Sequence, residues 1–238
     1  MEKFPGSGVI CNITGKILYE NKQPAQALNA WLDGIQNDPR FDANYYDAAS
    51  VYLRTKKVEW GILYGEIFLS MAHDTTYDVE LKNKLFAGYK VMFENMVKGN
   101  APKYGEVLKH NTANTFMDAV QNVYQSHTPV VSDGITTETL TMLRVRFLMD
   151  WFTAHDKKYP FSFFSYQEKL IKNGRFDVYS EWIFGHAESA TQYSAWNEYH
   201  DGDMDRFLKW RPAHLFVPAG GEFYNDRDME GLFEKKKK

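Results

Sequence analysis

Seven histidines stand in the chain, His73, His110, His127, His155, His186, His200 and His214, and no two lie three or four positions apart. A helix that holds zinc presents its ligands at that spacing, so no helical face here offers a histidine pair to a metal. His186 beside Glu188, or His200 beside Asp201 and Asp203, would need ligands from distant segments, and polar turns explain both. Two acidic stretches invite comparison with a calcium loop. Asp201, Asp203 and Asp205 fit its first positions, but Arg206 replaces the turn glycine and Pro212 the bidentate glutamate. Asp226, Asp228, Glu230 and Gly231 fit better, yet Lys237 stands at the closing position. No metal and no cofactor is expected.

Nucleophilic chemistry has as little support. Cys11 is the only cysteine, which leaves no internal disulfide and no redox pair, and only Lys16 stands near enough in sequence to favour its thiolate. A buried, inert thiol is the expectation. There is no serine elbow and no phosphate loop, and Gly6-Ser7-Gly8 lacks the third glycine of a dinucleotide fingerprint. Paired carboxylates for acid–base work form in space and leave no mark on spacing, so that possibility stays open.

The elements that must carry these residues are helices. Apolar residues recur at helical spacing: Leu81, Leu85, Tyr89, Met92 and Met96; Phe116, Ala119, Val120 and Val123; Leu140, Leu143, Phe147, Leu148 and Trp151. Thr75 and Thr76 can cap the first of these, and Asp78 and Glu80 suit the positive end of its dipole. Gly99, Gly134, Gly174 and Gly185 fall where helices should stop. Alternating runs are short, so the chain is all-α.

Two consecutive segments, 8–41 and 42–75, superpose at a period of 34 residues. In the first, Gly15 and Leu18 lie on one helix and Ala27, Trp31 and Gly34 on a second, after a turn at Asn21-Lys22-Gln23-Pro24. In the second, Tyr45, Ala48, Ala49 and Tyr52 precede a turn at Thr55-Lys56-Lys57, and Gly61, Gly65 and Phe68 follow. Small residues at Gly15, Ala27, Ala49 and Gly61 let paired helices approach closely. This pattern resembles the tetratricopeptide repeat (TPR), with Cys11 where a large aromatic is common and His73 in place of the closing proline. A third candidate pair runs through Phe163, Tyr166 and Leu170, turns at Asn173-Gly174 and returns by Tyr179 and Ile183. A fourth flanks Asp201-Gly202-Asp203. The whole chain is similar to bacterial TPR-containing proteins with an aromatic-rich C-terminal half and no assigned activity. The resemblance implies an α-solenoid of stacked antiparallel helix pairs. Residues 1–75 would hold two repeats, 76–217 one continuous α-domain with a degenerate repeat near 161–211, and 218–238 an irregular, partly mobile tail.

By the same resemblance, inward positions are Asn12, Lys16, Tyr19 and Glu20 from the first unit and Tyr46, Ser50, Leu53 and Arg54 from the second. Of these, Lys16, Tyr19, Tyr46, Ser50 and Arg54 are the candidate partner-binding residues. The family's carboxylate clamp is not reproduced: Asn12 and Lys16 stand in exchanged roles, and Asp47 would repel a carboxylate.

Net charge is −3, and Lys235–Lys238 mask a body of −7, so nucleic acid is not the expected partner. No stretch approaches 18 uninterrupted apolar residues, so no transmembrane segment is expected. Met1–Gly8 lack the apolar run of a signal peptide, which fits a cytoplasmic protein, or a bacterial periplasmic or envelope protein whose signal was trimmed. The leading expectation is a non-catalytic helical-repeat protein with a groove for a protein or peptide. Two rivals stay open. One is an enzyme or small-ligand binder, for example of glycans, walled by the aromatics of residues 161–199. The other is an envelope-associated accessory protein of a secretion or uptake system. The bland reading of those aromatics is packing between helices.

Overall fold

The computed structural model describes residues 6–71, 78–100 and 112–227, and these are helical with no strand among them. The chain is all-α. Five helices open it: α1 (Gly8–Glu20), α2 (Pro24–Asn37), α3 (Ala43–Tyr52), α4 (Val58–Met71) and α5 (Asp78–Val97). Pro24 starts α2, where its fixed φ suits the first turn and its missing N–H costs nothing. Then come α6 (Thr112–Ser126), a 3₁₀ turn (Thr128–Val131), α7 (Thr137–Ala154) and α8 (Ser162–Lys172). α9 (Phe176–Ser180) continues through a π turn (Glu181–Gly185) and a short turn (His186–Glu188) to α10 (Ala190–Tyr199) and α11 (Asp203–Trp210).

Hydrogen bonds fix how the first helices lie. The Gly8 amide donates to Asp38 at 3.1 Å and the Trp31 indole to the Asn12 carbonyl at 3.2 Å, so α1 and α2 run antiparallel. Asn12 reaches Asp47 at 2.6 Å and Arg54 reaches Tyr19 at 3.2 Å, each across 35 positions, which sets α3 parallel to α1 one layer on. Close approach demands glycine at two points. A Cβ on Gly15 would stand 2.2 Å from the Trp31 ring nitrogen, and one on Gly61 would stand 2.7 Å from the Leu53 backbone nitrogen.

Beyond α5 the chain doubles back on α4 rather than extending a row. Every residue of α4 is buried, as a helix enclosed on all sides must be. Trp60 meets Phe116 of α6 at 6.1 Å, Ser70 meets Tyr179 of α9 at 3.0 Å, and the Phe216 amide donates to the Ser70 carbonyl at 2.9 Å. In the middle of this shell lies an ion pair. Arg144 of α7 donates to Glu66 of α4 at 2.5 Å and to Ser180 at 3.1 Å. Gln167 of α8 and Tyr89 of α5 donate to the same carboxylate at 3.0 and 2.6 Å. The guanidinium sits among the rings of Phe176, Phe184 and Tyr179, 4.8, 5.1 and 5.5 Å away. Burial works against the Arg144 charge, but Glu66 together with Tyr89, Tyr179 and Tyr124 outweighs it and holds the group above its ordinary value.

The three helical faces expected around α5, α6 and α7 are all buried in the core. Gly99 and Gly174 follow α5 and α8 with φ of 70° and 62°, as stop signals should. Gly134 follows the 3₁₀ turn rather than an α-helix. Gly185 does not end a helix: its φ is −55°, and its missing Cβ makes room for the Tyr193 ring, 2.6 Å from where that atom would stand. The proposed caps Thr75 and Thr76 lie outside the described residues. Of the aromatics between 161 and 199, Phe163, Phe164, Phe176, Tyr179 and Phe184 are core, whereas Tyr199 is 87% exposed. Residues 218–227 are irregular and packed down: Asp226 is buried against Lys57 at 2.6 Å. No described helix is long and apolar enough to cross a membrane.

Gly61→Leu should overpack the α3–α4 contact and cost about 1–3 kcal/mol or more, seen as a lower thermal midpoint; an unchanged midpoint would mean the contact is loose. Arg144→Met should cost about 3–5 kcal/mol by stranding the Glu66 carboxylate, and Glu66→Leu added to it should restore part of that loss. Denaturant unfolding of the three chains measures both effects.

Candidate functional site

The five residues expected to meet a partner do come together. Lys16, Tyr19, Tyr46, Ser50 and Arg54 line one open hollow of about 240 Å³. α1 and α3 expose its walls because they lie parallel in one layer, and α5 closes it with Glu80 and Lys84. Trp31 of α2 shows at its base, with the Tyr19 ring 5.9 Å away and tilted by 44°. Tyr46 rests on Phe68, 5.2 Å between centroids.

Charges around this hollow are mixed and mutually tethered. Lys16 stands 3.8 Å from Asp47, and Lys84 pairs with Glu80 one turn away. Asp47 also accepts the Asn12 amide. Burial raises the Asp47 carboxyl above its ordinary value, and Asn12 and Lys16 pull against that rise. Arg54, exposed, donates to the Tyr19 hydroxyl at 3.2 Å. Three cations (Lys16, Arg54, Lys84) and three acids (Glu20, Asp47, Glu80) thus share one rim with two tyrosines and a tryptophan. Such a surface suits a segment with its own mixture of charge and apolar side chains.

Two inward expectations fail. Asn12 is buried, with its amide spent on Asp47 and its carbonyl on Trp31. Leu53 packs against Gly61 and Gly88 instead of facing the hollow. Sequence reasoning missed Trp31, Glu80 and Lys84. The two α5 residues belong to a helix outside the repeat pattern, and their sole signal was a four-residue charge spacing.

The remaining constellations have structural duties. The Glu188 carboxylate accepts the Thr137 amide at 2.5 Å, beside the Thr136–Thr139 capping box of α7. His200 stacks on Trp196 at 4.2 Å, and Asp203 pairs with Arg206 at 2.6 Å. No three His, Cys, Asp or Glu side chains among the described residues converge as a metal would need. Asp228, Glu230 and Gly231 of the second acidic stretch lie outside the described residues. Cys11 is half-buried, and burial, with Asp33 and Asp38 nearby, pushes its thiol up, which suppresses the thiolate.

Two buried carboxylates do border one small cavity. Glu59 and Glu66 border a cavity of about 30 Å³ together with Tyr89, Tyr124 and Gln167. That volume accommodates a water molecule or two, far below a substrate pocket. Gln121 donates to Glu59 at 2.8 Å, and Glu66 is engaged by Arg144, Tyr89 and Gln167. Both carboxylates are therefore bound within the core. No family model matches the chain, and no curated protein or solved structure matches it.

One carboxyl outside these clusters titrates near neutrality. Burial raises Glu181 to about 7 from 4.5, and Glu188 adds to the rise, with His200 opposing and Asp177 reinforcing it. An unfolded glutamate loses its proton near 4.5 while the folded one keeps it until about 7. The native state therefore binds more protons across that interval, and its stability falls as pH rises through it. Glu181→Gln should remove this slope, so that its thermal midpoint gains on wild type from pH 4.5 to 7 and then keeps a constant lead; parallel midpoints at all pH values would refute the assignment.

Proposed function

We propose that this is a non-catalytic helical-repeat protein of the TPR kind, and that its α1–α3–α5 hollow receives an extended segment of a protein partner. One observation carries the reading. Positions picked out by the repeat register, from two units, line a single open surface. Contacts between α1 and α3 span 35 positions, one more than the 34-residue period. Openness favours a peptide over a small molecule, because a small ligand gains its affinity from enclosure. Tyr19 and Tyr46 offer broad faces with a polar tip, and Arg54 offers a planar cation, the side chains that dominate binding energy at interfaces. The balanced rim favours a partner of mixed charge over a polyanion, in keeping with the acidic body of the chain.

Selection of a random heptapeptide phage library on the purified protein tests this. Enriched peptides should lose about tenfold or more in affinity to Arg54→Glu and to Tyr19→Ala. Both positions are exposed, so unfolding midpoints should hold steady. Peptides that bind both variants as tightly as wild type would place the site elsewhere.

A further inference from the structure

The stretch from His214 to Arg227 contains no helix, so its polar backbone must find partners in the rest of the molecule. Side chains supply them. The Tyr64 hydroxyl donates to the Tyr224 carbonyl at 2.8 Å and the Tyr52 hydroxyl to the Asp226 carbonyl at 2.6 Å. These two bonds hold the main chain of alternate residues whatever their side chains are. Specificity comes from two further anchors. The Tyr224 ring lies flat on Phe116, 4.0 Å between centroids with planes 2° apart, and Phe161 meets it edge-on at 5.7 Å. The Asp226 carboxylate is 1% exposed and meets the Lys57 ammonium at 2.6 Å. At one end Glu222 accepts the Ser162 amide at the start of α8, and at the other Arg227 pairs with Asp33 of α2 at 2.7 Å.

These are the elements of peptide recognition: backbone carbonyls held, one aromatic slot filled, one buried charge matched. The segment is joined to the helices through Ala219-Gly220-Gly221, which is exposed. Gly221 has φ of 85°, and a Cβ on Gly220 or Gly221 would touch nothing. A glycine pair with open space around it leaves the backbone there free of steric restraint.

We propose that residues 222–227 are an intramolecular peptide ligand, and that the cleft they fill is a binding site for an extended peptide carrying an aromatic residue two positions before an aspartate. This site is formed around Tyr52, Lys57, Tyr64 and Phe116, apart from the hollow between α1, α3 and α5, and it stands independently of the function proposed for that hollow. A short linker holds the internal segment at an effective concentration in the millimolar range, so a competing peptide gains the cleft when that advantage is reduced.

The test titrates a fluorescein-labelled peptide of residues 221–227 into three full-length chains and follows its anisotropy. Wild type should bind it weakly. A Tyr224→Ala/Asp226→Ala chain, whose own segment has lost both anchors, should bind it about tenfold tighter or better. A chain with ten Gly/Ser residues inserted between Gly220 and Gly221 keeps every anchor, and should bind it about five- to tenfold tighter than wild type, because effective concentration falls with linker length. The same peptide with both anchor residues replaced by alanine should bind none of the three. If the double variant fails to unfold cooperatively, the insertion chain alone decides. Equal, weak binding by the insertion chain and wild type would overturn the proposal and make the segment a fixed part of the core. So would an insertion chain that dimerises and still ignores the peptide, since a second copy would then fill the cleft.

Discussion

Five helices are tied to one carboxylate. Glu66 sits on a helix buried from end to end, so its charge is cut off from bulk water and must be compensated by neighbours. Arg144, Gln167 and Tyr89 arrive from α7, α8 and α5, and Ser180 of α9 takes the other side of the guanidinium. A buried ion pair adds little net stability against an apolar core of equal packing. Its consequence is geometric. Any arrangement that slides α4 or α7 by a turn leaves a charge unpaired in the interior, at a cost above that of a displaced leucine, and sliding α5, α8 or α9 leaves the pair short of a hydrogen bond. The wrapped arrangement around α4 is therefore selected by the penalty on its alternatives.

That constraint also explains why the N-terminal helices and the later ones behave differently. α1, α2 and α3 are positioned by neighbours near in sequence, through Trp31 over Gly15 and Asn12 against Asp47. In stacked hairpins each unit touches the next, and contacts stay local. From α4 onward the partners are remote: Arg144 and Gln167 stand 78 and 101 positions from Glu66. α4 belongs to both regimes. One flank completes the second hairpin against α3, and the rest serves as the core of the later helices.

Legibility in the sequence follows the same division. The faces of α5, α6 and α7 were readable because each buries one stripe, and a stripe has a period. The pairing of α1 with α2 and of α3 with α4 was readable because close contacts need small residues, and Gly15 with Ala49 and Ala27 with Gly61 stand 34 positions apart. Lys16, Tyr19, Tyr46, Ser50 and Arg54 emerged from that register, while Glu80 and Lys84 on the same rim did not, since α5 lies outside it. The Glu66 network left almost no trace. Glu59 and Glu66 inside an otherwise apolar run were its only sign, and a helix without a polar face gives no direction in which to seek their partners. Asp226 was obscured differently. With Asp228 and Glu230 beside it, the stretch reads as a solvated acidic tail, and nothing local points to Lys57 at the end of the second turn.

The tyrosines connect these observations. Fifteen tyrosines are many for a chain of this length, and the buried ones act in a common way. Four of them fill apolar volume with the ring and spend the hydroxyl on a group distant in sequence. Tyr52 and Tyr64 hold the C-terminal segment, Tyr89 holds Glu66, and Tyr179 meets Ser70. Burial drives the hydroxyls of Tyr52, Tyr64 and Tyr89 well above the ordinary phenol range. They therefore remain donors at neutral pH. A phenylalanine at these places would pack as well but leave a carbonyl or a carboxylate short of a donor. Where helices meet at irregular angles and an extended strap must be held without a sheet, a side chain that is both filler and donor does the work that regular backbone pairing does elsewhere. The aromatic excess in the composition is thus the chemical signature of a helical protein whose second half is held by side chains rather than by repeating geometry.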